Sequence, residues 1–374
     1  MAKKRVLIMT ASLGYGHKSA ANAISTAMAK THPDVEVSIV NPAEHEMTSD
    51  ILKEIHDLYD ESSKREGLYE LLYKLSDTGI AAMATNSAVS VMLRDAVYSV
   101  IDEYKPDVIV VVHEDYLAPL KSLYDMAGFK IPIVTVITDL TTIHRRWFNQ
   151  ISKVTVVPTD IGAKLASEHG LLKSKVRQIG IPVNPNVLND ERSIADIREE
   201  LGWDLNKKTI VVVGSTRVSN LVENLHGLNH SGLDLQLILV AGGDEKLYTR
   251  FKNTEWHLQT HIYNYVENIP AMIHASDMVI SKAGGLIVSE TLALGKPILI
   301  TDVIEGQETG NANYVVENGA GAKAFTPIDV LETVFHWMQE DGKLLDIRSE
   351  KARAVGQPRA AFEIAELLYE LMAE

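Results

Sequence analysis

The sequence predicts an α/β protein built from two Rossmann-like halves. Two observations carry that reading. Short apolar runs, uncharged on both faces, alternate with longer stretches of helical character. A polar, proline-bearing stretch then divides the chain near its middle. A length of 374 residues agrees, because it exceeds what one core of ~150 residues would use.

The elements follow in order. Arg5 to Ser12 holds Val6-Leu7-Ile8-Met9, a buried parallel strand. A glycine turn comes next, then an alanine-rich helix from about Ser19 to Thr31, and a strand over Val35–Val40. Residues 51–104 look helical in at least two pieces, with Ile51, Ile55, Leu58 and Tyr59 at helical spacing. Strands are expected at Val108–Val112, Ile133–Ile137 and Val154–Pro158, then a helix around Ile161–His169. Pro182, Pro185 and the polar stretch Asn184–Arg192 read as a linker, which sets domains at 1–185 and 186–374. The second series runs through strands at Thr209–Val213, Leu235–Ala241, His261–Tyr265, Met278–Ser281 and Ile298–Ile300, with a helix after Ala283. There is no short repeat, coiled coil or low-complexity segment.

Composition excludes several classes. Hydrophobic residues at 46% and charged residues at 23% are those of an ordinary globular chain, not a disordered one. A net charge of −14, from 36 Lys+Arg against 50 Asp+Glu, argues against a nucleic-acid partner, which favours a basic surface. Cysteine is absent, so disulfides, thiolate metal sites and cysteine nucleophiles are excluded. No apolar run reaches the ~18 residues that span a bilayer, and no signal peptide follows Lys3-Lys4-Arg5, so a cytoplasmic location is expected. The charge is uneven. Residues 1–185 carry 20 bases and 22 acids (−2), and residues 186–374 carry 16 and 28 (−12). Moving residues 357–374 to the first half changes this to −5 and −9.

Two glycine-bearing turns are candidate phosphate sites. Gly14-Tyr15-Gly16-His17-Lys18-Ser19-Ala20 lies between a strand and a helix, but Asn41-Pro42 stands where a dinucleotide site would place its ribose acid. His17 sits at the lip of this turn. It is either a general base for a substrate hydroxyl or a histidine that caps the helix and packs locally. The second turn is Ser281-Lys282-Ala283-Gly284-Gly285-Leu286, a strand, a glycine pair and a helix whose N–H groups can face a diphosphate. Glu290 follows about one and a half turns into that helix, placed to accept hydrogen bonds from a ribose diol. Glu305-Gly306-Gln307-Glu308-Thr309-Gly310-Asn311 offers the side chains that hold sugar hydroxyls.

These residues resemble the donor-binding region of glycosyltransferase family 28, in its branch of monogalactosyldiacylglycerol synthases and processive diacylglycerol glucosyltransferases. The resemblance spans nearly the whole chain. Gly14-x-Gly16-His17, Thr138-Asp139-Leu140-Thr141-Thr142-x-His144-x-x-Trp147-Phe148, Val157-Pro158-Thr159, Gly180-x-Pro182-Val183-x-Pro185 and Arg198-Glu199-Glu200-Leu201-Gly202 match in order. It implies a GT-B fold with the active site in the cleft between the two Rossmann-like domains, lipid acceptor on the first and UDP-sugar on the second. It implies inverting transfer of a hexose to diacylglycerol, with His17 or a neighbouring carboxylate such as Asp139 taking the acceptor proton. By motif position Gly284, Gly285 and Leu286 would meet the diphosphate, Glu290 the ribose, Tyr265 and Val266 the uracil, and Gln307, Glu308 and Asn311 the sugar. Gly214 marks the remnant of a glycine-rich loop, in Val213-Gly214-Ser215-Thr216-Arg217, where the family pattern has more glycine. That departure touches sugar and acceptor preference more than reaction class.

Gly16, His113, His144 and Trp147 would lie on the acceptor side. No Asp-x-Asp occurs, which fits the expectation of no cofactor and no obligate metal. Contact with the membrane would be peripheral, on its cytoplasmic face, through Leu68–Leu75 or Gly79–Leu93, with anionic lipid a candidate partner. Three other readings stay open: N-acetylglucosaminyl transfer to a polyprenyl-linked peptidoglycan precursor, a non-hydrolysing UDP-sugar epimerase, and a non-catalytic UDP-sugar sensor that binds a protein partner.

Overall fold

The computed structural model describes residues 3–11, 15–48, 77, 79–187, 192–215, 220–306 and 308–373. The helical stretch expected over 51–76, including Leu68–Leu75, lies outside them. The chain divides into two compact units. The first comprises Met1–Pro185, Glu305–Gln307 and Arg359–Glu374; the second comprises Asn186–Ile304 and Glu308–Pro358.

The first unit runs β1 (Arg5–Met9), α1 (Tyr15–Thr31), β2 (Glu36–Val40), α2 (Gly79–Tyr104), β3 (Val108–Val111), α3 (Leu117–Ala127), β4 (Ile133–Val136), β5 (Val154–Val157), α4 (Asp160–Glu168) and β6 (Val176–Gln178). Its six strands are parallel in the order β2-β1-β3-β4-β5-β6. Alternation along β1 sends Leu7 and Met9 to one face and Val6 and Ile8 to the other, so the sheet carries a core on each side. Leu7 and Met9 pack with α2 and α3 through Leu93, Val97, Leu117 and Leu120. Val6 and Ile8 pack with Ile24 and Met28 of α1, and with Ile364 and Leu368 of a helix far along the chain.

The second unit runs α5 (Ile194–Glu200), β7 (Lys208–Val213), α6 (Leu221–Asn229), β8 (Leu235–Val240), α7 (Glu245–Asn253), β9 (Gln259–Tyr263), α8 (Ile269–Ala275), β10 (Met278–Lys282), α9 (Gly285–Ala293), β11 (Ile298–Asp302), α10 (Thr309–Glu317), β12 (Gly321–Lys323), α11 (Pro327–Met338) and α12 (Lys343–Val355). The order is β12-β11-β10-β7-β8-β9, again parallel. Its helices start where the chain supplies caps: Ser193 and Thr326 form capping boxes with Asp196 and Asp329, and Asp244 accepts two N–H groups of α7. The final helix, α13 (Ala360–Leu371), belongs to the first unit and is the one that covers Val6 and Ile8.

Three features depart from the sequence expectation. The first helix begins at Tyr15, not near Ser19, so Gly16 and His17 stand in its first turn rather than in a loop. The short strands β6 and β12 were not anticipated; neither has a run of apolar residues to announce it. The charge contrast also narrows. With residues 359–374 and Glu305 counted in the first unit, it holds 21 bases and 27 acids (−6) and the second 15 and 23 (−8).

Candidate active site

In an open parallel sheet ligands bind beyond the carboxyl ends of the strands where the strand order reverses. In the first unit that point lies between β1 and β3, and His17 follows the first of these strands while His113 follows the second. Among the described residues nothing lies within 4 Å of where a side chain on Gly16 would stand.

His17 is held in one tautomer. Its Nδ1 lies 2.8 Å from the Val112 carbonyl oxygen, an acceptor only, so Nδ1 carries the proton and donates it. The Thr138 hydroxyl is 3.0 Å from the same nitrogen. Nε2 is therefore left with its lone pair. The residue is only half-buried overall, but its ring packs edge-on against His113 at 4.6 Å between centroids. Desolvation first, and the His113 ring second, push its pKa down to about 4, against the pull of Glu114 and Asp115. His17 is neutral at physiological pH and ready to accept a proton.

Behind it lies a buried polar cluster. His113 accepts the Asp115 N–H on Nδ1 at 3.3 Å, and its Nδ1 lies 3.6 Å from the Asp115 carboxylate and 3.9 Å from that of Glu114. Arg146 pairs with Asp115 and donates to Asn86 at 2.9 Å. His144 accepts the Arg146 N–H at 3.2 Å and lies 3.6 Å from Asp77. Burial alone would raise Glu114, yet His113, Arg146 and His17 hold it below the usual carboxylate value; burial lowers His144. Sequence reasoning named the histidines but missed Thr138 as the partner of His17, Asp77 as that of His144 and Arg146 as that of Asp115, because pairing between residues so far apart in the chain leaves no local pattern.

Trp147 does not meet an acceptor, which corrects the expectation for it. Its side chain is 0% exposed within the core of the first unit, and its indole N–H donates to the Asp139 carboxylate at 2.8 Å. Trp147 orients Asp139 rather than touching lipid. Trp147→Ala is expected to cost about 3–5 kcal/mol in denaturant unfolding; a loss below about 1 kcal/mol, the scale of a surface substitution, would remove the indole from the core.

In the second unit the strand order reverses between β7 and β10. Gly284 is the N-cap of α9 and supplies no side chain to it, so the first-turn N–H groups at Gly285 and Leu286 are not capped by their own cap residue. Glu290, 8% exposed on the same helix, has no hydrogen bond or ion pair to its carboxyl among the described residues. Burial pushes its pKa up to about 7. Asn311 is 4% exposed and donates to the Ala283 carbonyl at 2.9 Å, which ties it to the glycine turn. Glu308, 5% exposed, pairs with Lys282 and accepts the Ile304 N–H at 3.1 Å. Lys282 escaped the sequence reading because a lysine beside two glycines looks like a solvated charge. The Tyr265 ring is exposed, and Val266 packs beside Trp203 and Met272.

Gly214 needs no ligand to explain it: a side chain there would collide with Leu247 and crowd the Val240 carbonyl. Gly14, Arg217 and Gln307 lie outside the described residues. Among the described residues no group of three His, Asp or Glu could hold a metal ion.

A family model for monogalactosyldiacylglycerol synthase matches residues 17–183, and a model for the glycosyltransferase family 28 C-terminal domain matches residues 209–353. The chain belongs to glycosyltransferase family 28. It is accordingly an enzyme of the glycosyltransferase class. It is 29% identical to the chloroplastic monogalactosyldiacylglycerol synthase of Spinacia oleracea over 99% of this chain and 73% of that one. Against monogalactosyldiacylglycerol synthase 3 of Arabidopsis thaliana it is 29% identical over 98% and 81%. Among solved structures it resembles MurG of Acinetobacter baumannii, with a TM-score of 0.61 at 14% identity, covering 98% and 99% of the two chains. The UDP-GlcNAc 2-epimerase of Neisseria meningitidis, bound to UDP-GlcNAc, gives a TM-score of 0.64 at 14% identity over 98% and 100%. Together with the two parallel six-stranded sheets, these structures establish a GT-B fold.

Proposed function

We propose that this family 28 enzyme transfers a hexose from a UDP-sugar to diacylglycerol with inversion, making a β-glycosyl diacylglycerol. The match of residues 17–183 to the monogalactosyldiacylglycerol synthase model carries this reading, because those residues form the half expected to take the acceptor. His17 Nε2 takes the proton of the diacylglycerol hydroxyl as its oxygen bonds to the anomeric carbon. The bond from that carbon to the diphosphate breaks, and UDP leaves with the electron pair. The negative charge developing on the diphosphate is stabilised by the uncapped first turn of α9, whose amides and dipole favour an anion. Glu290 accepts the ribose hydroxyls, which supplies hydrogen bonds that its carboxyl lacks among the described residues. The Asp115 N–H, with its carboxylate paired to Arg146, holds the ring of His113 against His17.

The acceptor comes from a membrane, on this reading its cytoplasmic face. Among the described residues no helix is long and apolar enough to cross one. A groove of about 720 Å³ lies between α2 and α3 beside Arg145 and Arg146, and Met83 and Met126 on its rim are each 71% exposed, as is Val91 at 75% along α2. Such exposed apolar tips favour a lipid surface over water. The groove's three bases each pair with an aspartate: Lys121 with Asp125, Arg145 with Asp77, Arg146 with Asp115. Those pairs favour neutral diacylglycerol over an anionic lipid as the molecule that meets it.

The test offers labelled UDP-glucose, UDP-galactose and UDP-N-acetylglucosamine with diacylglycerol vesicles, with and without EDTA. One hexose donor is expected to yield β-glycosyl diacylglycerol in both conditions. No glycolipid from any donor would overturn the reading, and transfer lost in EDTA would restore a metal to it.

A further inference from the structure

Lys282 is the last residue of β10, and a register shift in the pairing with β11 falls between Ser281 and Lys282. Irregularities of this kind re-aim side chains next to active sites. Here the ammonium is carried over the glycine turn: a side chain built on Gly284 would lie 2.9 Å from Lys282 Nζ and 3.6 Å from Glu308 Oε1. The Lys282–Glu308 ion pair therefore sits directly on the N-cap of α9. Glu308 is nearly buried and fixed from its other oxygen by the Ile304 N–H, while Lys282 keeps more exposure, so the lysine is the partner free to swing. A cation at the helix end that favours anions is electrostatically misplaced unless an anion joins it; Glu308 fills that role in the ligand-free protein.

We propose that Lys282 is the cation that receives the donor's diphosphate, and that Glu308 holds it at the mouth of α9 until the donor arrives. The inference deepens the reading of this enzyme as UDP-sugar-dependent and rests on it. On binding, the diphosphate replaces Glu308 as the partner of Lys282. The lysine then supplies, with the amides at Gly285 and Leu286, the positive charge against which UDP leaves. The Glu308 carboxylate, released from its ion pair, becomes an acceptor for a sugar hydroxyl. A side chain at 284 would press on the space the ammonium holds, and the lysine would have to move aside for it.

Calorimetric titrations of UDP and of uridine into wild type, Lys282→Met, Lys282→Arg and Glu308→Gln test this. A charge-assisted contact to phosphate predicts UDP binding to Lys282→Met that is weaker by about 10- to 100-fold. Uridine, which has no phosphate, should bind all four proteins alike and so reports intact folding. Lys282→Arg should retain most of the UDP affinity. Glu308→Gln frees the lysine and should bind UDP as tightly as wild type or tighter, while sugar transfer falls. Equal losses for Lys282→Met and Glu308→Gln would make the pair a structural brace and overturn the proposal, as would unchanged UDP binding in Lys282→Met. Wild type that binds no UDP would overturn the parent reading instead.

Discussion

His17→Ala is expected to lower kcat by about 10²- to 10⁴-fold, the usual worth of a general base, with UDP binding unchanged. The pH dependence of the wild type gives the sharper signature. A histidine with its ordinary pKa of ~6.5 would lose its base form as pH falls through that value. Burial and the His113 ring hold His17 at about 4, so its imidazole stays neutral far into acid. With both substrates saturating, kcat is expected to stay level from pH 8 to about pH 5 and to fall only as His17 takes a proton near 4. Initial rates from pH 4 to 9 check this. An acid limb at 6.5, or an alanine variant as fast as wild type, would remove His17 from proton transfer. The tautomer matters as much as the pKa. Were Nδ1 not committed to the Val112 carbonyl, the proton could sit on Nε2 and the base would point its lone pair into the protein.

Glu290→Gln is expected to stabilise the ligand-free enzyme while weakening it as a donor binder. Folding raises the Glu290 pKa from 4.5 to about 7, so the folded state holds a proton that the unfolded chain gives up between those values. The contribution of this group to stability is thus fully present below pH 4.5 and is lost as pH rises through 7. At 1.36 kcal/mol per pH unit the loss approaches about 3 kcal/mol. Glutamine carries no charge to bury, so the variant should gain up to that amount at pH 8 and nothing at pH 4. For a protein of this size the gain is several degrees in melting temperature, at roughly 2–4 °C per kcal/mol. UDP should then bind about 10-fold or more weakly, because an amide accepts at only one oxygen where a carboxylate accepts at two. Melting curves at the two pH values, with and without UDP, decide it. A gain that is the same at both would mean the carboxylate is not what burial penalises. Stability given up to hold a buried acid is a common cost of a functional site.

Much of this protein was legible in its sequence, and what escaped has physical reasons. Strands such as Val108–Val111 and Leu235–Val240 were visible because both their faces are buried, which leaves an unbroken apolar run. Edge strands β6 and β12 end their sheets and are only three residues long, so nothing marks them. The start of α1 was displaced because Gly14 and Gly16 were read as a turn, whereas Gly16 stands in the first helical turn. Motif order placed His17 and Glu290 near ends of strands, yet it could not tell contact from support. Trp147 and Asn311 occupy family motif positions, and the structure bonds them to Asp139 and Ala283. The role of Lys282 depends on a register shift of one residue, which only coordinates reveal.

The return of α13 to the first unit constrains the order in which this protein can be made. Val6, Ile8, Ile24 and Met28 are translated early, but the residues that cover them, Ala361, Ile364, Ala365 and Leu368, emerge only after the whole second unit. A nascent chain therefore carries an open apolar face through the synthesis of some 170 further residues. At elongation rates of ~5–20 residues per second that is a wait of roughly 10–35 seconds. The first unit cannot be finished by the ribosome in passing; it closes only after the second unit has been made.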